Sequence, residues 1–101
     1  MLKKYSGVEF EFLHANEKSE VLYGVVLIRE NEMVLDIKTP GDTGYDIRGK
    51  SIGSFFEGRH KEQPGDIPVR AKWILLDDIY VGIWIESGHE YLFKFELADS
   101  E

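Results

Sequence analysis

Cysteine is absent from the 101 residues, which excludes both a disulfide framework and a thiolate metal site. No run of apolar residues is long enough to span a bilayer. Lys3 and Lys4 lead into Ser6, Gly7, Glu9 and Glu11, where a secretory signal would need apolar residues. The expectation is a cytoplasmic protein with no membrane partner. Positive charge is also in short supply: 12 Lys and Arg stand against 19 Asp and Glu, for a net charge of −7. That balance repels phosphate, so a nucleic-acid role would need a local basic patch. The nearest approach to one is Arg48, Lys50, Arg59, His60 and Lys61, diluted along the chain by glycine and glutamate. No nucleic-acid partner is expected.

What remains is the composition of a globular domain. Apolar residues make up 43%, charged residues 31% and aromatics 13%, enough large rings to give a small core substantial buried area. The length suits one core. A single β domain over 1–101 is expected, ordered over about 5–97 and ending in a short polar tail.

The dominant pattern is period-2 alternation broken by turn residues. Val8, Phe10 and Phe12 alternate with Glu9 and Glu11, and a polar loop runs from His14 to Glu20. Val21 to Arg29 and Glu32 to Lys38 read as strands around a Glu30-Asn31 turn. A turn cluster follows at Pro40-Gly41-Asp42-Thr43-Gly44. The glycines at 49, 53 and 58 leave Tyr45 to Arg59 readable as one bent strand or as two short ones. After a loop from Lys61 to Pro68 come Val69 to Leu75, Ile79 to Ile85 and His89 to Leu97. Seven or eight strands joined by hairpin-length links, with no amphipathic helix between them, predict an all-β antiparallel meander. Such a meander hides its edges by closing into an up-and-down barrel, with a two-sheet sandwich as the alternative.

Parity predicts which faces point inward. Ile79, Val81, Ile83 and Ile85 form one aliphatic side, and Tyr91, Phe93 and Phe95 form another. Three-residue loops, Leu76-Asp77-Asp78 and Glu86-Ser87-Gly88, would bring these sets and Val69, Ala71, Trp73 and Leu75 onto one inner face. Arg70, Ile74, Tyr80, Trp84 and Leu92 would then lie outside, with Arg70 across from Trp84 in a cation–π contact worth ~0.5–1 kcal/mol.

No motif carries catalytic chemistry. Asp42-Thr43-Gly44 matches the core triplet of aspartic proteases, but that chemistry needs a buried strand leading into the Asp, and Thr39-Pro40-Gly41 precedes it here. Ser87, His89 and Glu90 are hydrolytic residue types, yet they sit too close together on one hairpin to line up as a triad. Gly53-Ser54 lacks the glycine spacing of a nucleophile elbow. His14, His60 and His89 have no metal-ligand spacing. Neither metal nor cofactor is expected, nor an enzyme.

The stretch Thr43 to Leu97 resembles small lipocalin-like or avidin-like barrels. The resemblance rests on Asp42-Thr43-Gly44-Tyr45-Asp46 with Gly49 and Gly58, on Trp73, on Gly82-Ile83-Trp84 and on Tyr91-Leu92-Phe93. It implies a closed barrel that holds a small apolar molecule or serves as an interaction scaffold. The leading expectation is a non-catalytic binding module with Trp73, Tyr91 and Phe93 as walls of an interior ligand site. The alternative is an acidic protein-interaction module, of inhibitor or immunity type, that uses an outer patch of Arg70, Tyr80 and Trp84. The oligomeric state stays open.

Overall fold

Alternating side chains give eight strands: β1 (Leu2–Leu13), β2 (Glu20–Arg29), β3 (Glu32–Lys38), β4 (Gly44–Ile52), β5 (Phe55–His60), β6 (Val69–Leu76), β7 (Ile79–Glu86) and β8 (His89–Glu96). The computed structural model describes residues 2–13, 19–39, 44–60 and 68–97. The expectations for 14–18, for 40–43 with Asp42, for 61–67 and for the tail at 98–101 lie outside these residues. Each strand pairs antiparallel with the next, and β1 pairs with β8, so the meander closes into the expected barrel rather than a sandwich. The segment around the three glycines is two strands, joined by a Gly53-Ser54 turn that sets Ile52 opposite Phe55.

The interior is built by placing large residues against small ones in neighbouring strands. One row runs Met33, Gly49, Gly58, Ala71, Trp84, Tyr91, and the next runs Phe56, Trp73, Gly82, Phe93, Phe12. Gly49 is required for this: a Cβ there would fall on the Trp73 ring. No polar or charged side chain is buried among the described residues, and the core is aromatic and aliphatic throughout. Each large side chain taken fully from water contributes ~1.5–3 kcal/mol.

The face assignment of β7 is corrected. Both late hairpins use two-residue turns, with Leu76 opposite Ile79 and Glu86 opposite His89. Ser87 at φ 52° and Gly88 at φ 78° supply the two left-handed residues of a tight hairpin turn, whose twist matches that of the flanking strands. Asp77 adopts φ 54° in the other turn. One residue fewer in each loop reverses every side chain of β7. Tyr80 and Trp84 therefore face inward, while Ile79, Val81, Ile83 and Ile85 face outward. Trp84 lies opposite Ala71, and Arg70 lies opposite Ile85. The expected Arg70–Trp84 contact is excluded because the two point to opposite faces of the sheet. A cation–π contact does form on the outer face, but it places Lys72 Nζ 4.9 Å from the centre of the Phe55 ring.

Candidate functional site

The interior positions expected to wall a ligand are closely packed. Trp73 is 1% exposed and Phe93 2%. Trp73 stacks on Phe56 at 5.8 Å, meets Phe93 edge-on at 6.2 Å and donates its indole N–H to Met33 Sδ at 3.2 Å. Trp84, 2% exposed, packs edge-on against Phe12 and Tyr45, each at 5.0 Å, and against Phe93 at 5.7 Å. Tyr80 is half-buried and stacks on Phe95 at 5.0 Å. Burial, and then the neighbouring Tyr5, raises the pKa of its phenol. The outer aromatic patch therefore does not exist: Tyr80 and Trp84 belong inside, and Arg70 alone of that trio is outside.

Tyr91 is half-buried at one mouth of the barrel, where the interior opens. Here the Glu86 carboxylate accepts the Trp84 indole N–H at 3.0 Å on Oε1 and the Tyr45 hydroxyl at 3.1 Å on Oε2. Burial first, then the Glu86 charge, pushes the Tyr45 phenol up to about 12, so it stays a hydrogen-bond donor at neutral pH. Phe12, Leu22, Tyr45, Trp84, Glu86 and Tyr91 line a cavity of about 110 Å³ here. At ~30 Å³ per water, that admits a few solvent molecules. His60 lies nearby, its ring 5.7 Å from Tyr45, and its Nδ1 accepts the Asp46 backbone N–H at 3.0 Å. That nitrogen ties β5 to β4.

Hydrolytic geometry is not assembled at the last hairpin. Ser87 is a turn residue, while His89 lies opposite Glu86 and Glu90 lies opposite Ile85. His89 and Glu90 thus occupy opposite faces of the sheet. Among the described residues, no group of three or more His, Asp or Glu converges as metal ligands.

The larger concavities are on the outside. Ile83 pairs with Leu92, and Leu92 with Leu13, while Phe55 pairs with Ile74 and Ile74 with Val81. Together they form two adjacent apolar rows over β5–β8 and the end of β1. A groove of about 580 Å³ runs between them, edged by Lys72 and Lys94. Ile83 is 44% exposed and Leu92 60%, which is unusual for branched aliphatics placed side by side on a sheet. Lys94 also reaches Glu11 of β1 at 3.7 Å, at the rim of this face.

Sequence reasoning placed Ile74 and Leu92 on this surface but missed Val81 and Ile83, because β7 is apolar on both faces, Ile79/Val81/Ile83/Ile85 on one and Tyr80/Gly82/Trp84 on the other. Periodicity cannot orient such a strand. The signal that does is turn chemistry: Ser87-Gly88 has the residue types of a two-residue hairpin loop. Neither a protein-family model nor a curated protein matches the chain.

Proposed function

We propose that the protein is a non-catalytic binding module that docks a protein partner on the outer face of β5–β8, with the barrel as a packed scaffold. One contrast carries this reading. The interior is filled by Trp73, Trp84 and Phe93, each 2% exposed or less, while the apolar rows around Ile83 and Leu92 stand open to solvent. A scaffold has no need to expose such a surface, and covering it would contribute ~25 cal/mol for each Å² of apolar area removed from water. The cysteine-free composition fits a cytoplasmic setting.

The test is a photo-crosslinking amino acid at Leu92, compared with one at Tyr23, which is exposed on β2. The expected result is one discrete protein adduct at Leu92 and none at Tyr23, lost when Ile83→Asp is added to a barrel that still melts cooperatively. Equal labelling at both positions, or at neither, would remove the docking face.

A second reading follows from the lipocalin-like resemblance and from the mouth cavity beside Tyr91 and Trp84. In that reading a small apolar molecule enters past Tyr91 and displaces solvent above Trp84 and Phe12. Native mass spectrometry of protein purified gently from its host would reveal a bound small molecule as a reproducible excess mass. A bare chain mass at every collision energy goes against it.

A further inference from the structure

The outer face also carries charge that aliphatic docking leaves unexplained. Arg48 lies directly opposite Arg59, and Arg59 directly opposite Arg70, on the neighbouring strands β4, β5 and β6. With strands ~4.8 Å apart, the three side chains rise in a row spanning ~10 Å. The next row is Lys50, Glu57, Lys72. Arg48 has Asp46 at 3.6 Å and Lys72 has Glu57 at 3.8 Å. Among the described residues, Arg59 and Arg70 have no ion pair. Like charges directly opposite one another destabilise a sheet, and this row sits in a chain of net charge −7. Beyond Arg70 the row continues into Ile85, and beyond Lys72 into Ile83. A groove of about 720 Å³ runs over these side chains.

We propose that the row recognises an acidic segment of a protein partner. The exposed guanidinium forks of Arg59 and Arg70 take successive carboxylates, and Ile83 and Ile85 take an apolar side chain between or beside them. Guanidinium forks suit carboxylates because they can bind them through two parallel hydrogen bonds. The inference rests on the reading that this face docks a protein, and it names that partner's chemistry. A single-stranded nucleic acid fits less well. Its affinity depends on aromatic side chains that stack on bases, and among the described residues lining this groove the one ring is the His60 imidazole, which is held by the Asp46 backbone N–H and packs edge-on against Tyr45. The overall negative charge also opposes a polyphosphate chain.

The decisive variant is Arg59→Glu, because it should not harm the fold. It places a carboxylate between Arg48 and Arg70, turning two like-charge pairs into two opposite-charge pairs. The probe is a fluorescein-labelled twelve-residue peptide of glutamates with two central isoleucines, read by fluorescence anisotropy. Its glutamine counterpart and a twelve-nucleotide oligothymidylate serve as comparisons. The proposal expects the glutamate peptide to bind wild-type protein and the glutamine peptide not to. It expects affinity to fall at least tenfold in Arg59→Glu, and severalfold on raising salt from 50 to 200 mM. It also expects Arg59→Glu to melt at or above the wild-type temperature. Equal binding of the glutamate peptide by wild type and Arg59→Glu overturns it, as does tighter binding of the oligothymidylate. If the peptide fails to bind while Leu92 cross-linking persists in Arg59→Glu, the face docks a partner of other chemistry and only the acidic assignment falls. If cross-linking at Leu92 is absent as well, the docking reading falls with it.

Discussion

Replacing Trp84 with alanine tests the orientation of β7 more sharply than any other change. The indole is 2% exposed and makes edge-on contacts with Phe12, Tyr45 and Phe93 at 5.0, 5.0 and 5.7 Å. Truncating a buried tryptophan costs about 3–5 kcal/mol in lost transfer energy and residual cavity. The hydrogen bond from Nε1 to Glu86 is lost too, but Glu86 keeps the Tyr45 hydroxyl, so that loss adds only about 1 kcal/mol. A domain of this size has about 5–15 kcal/mol of total stability. At about 4–8 °C per kcal/mol, the melting temperature should drop by about 15 °C or more. The assay is urea unfolding followed by far-ultraviolet circular dichroism, with Trp73, the remaining tryptophan of two, as a second probe. The midpoint should fall at nearly constant m-value, since the surface exposed on unfolding changes little. Trp84→Phe keeps a ring against Phe12 and Tyr45 and should cost only about 1–2 kcal/mol. An alanine variant within about 0.5 kcal/mol of wild type would be the behaviour of a surface residue. It would refute the inward orientation and, with it, both two-residue turns.

Gly49→Ala should destabilise by about 1–3 kcal/mol through overpacking, because its methyl group would meet a Trp73 ring that is already pinned by Phe56 and Met33; a melting temperature unchanged from wild type would contradict that packing. Gly88→Ala forces a Cβ into a residue at φ 78°, and a loss of about 1–2 kcal/mol in chemical denaturation is expected. The Tyr45 phenol, pushed up to about 12 from 10.0, should be the last to ionise in a rapid pH-jump followed at 295 nm, and that late phase should vanish in Tyr45→Phe. Its stabilising contribution is complete below pH 10, where folded and unfolded chains both carry the neutral phenol. The contribution declines between pH 10 and about 12 as the unfolded chain ionises first. Tyr45→Phe should therefore flatten part of the alkaline loss of stability.

The chain of β-strands was legible because alternation is a local property. Val8, Phe10 and Phe12 against Glu9 and Glu11, or Phe93 and Phe95 against Lys94, declare their buried side without reference to any partner strand. Short links and the absence of a helix then leave an antiparallel meander, and the need to hide its edges makes closure the favoured solution. The order of the strands and the inward direction of Trp73, Phe93 and Phe95 follow from residues close together in sequence. The outer aromatic patch was less legible, because Tyr80 and Trp84 depended on which way one ambiguous strand turned.

Tertiary structure decided what depends on register and on neighbours distant in sequence. β7 is apolar on both sides, so its orientation came from the backbone of two tight turns, and one residue of loop length moved Trp84 into the core and Ile83 into solvent. The basic residues tell the same story. Along the chain Arg48, Arg59 and Arg70 are separated by ten residues or more and diluted by glutamate and glycine; across three paired strands they become one unbroken row. Composition and alternation are sums over local residues, which is why they specify an acidic β protein. A binding surface depends on distances between strands, and those exist only once the hydrogen-bond register has been chosen.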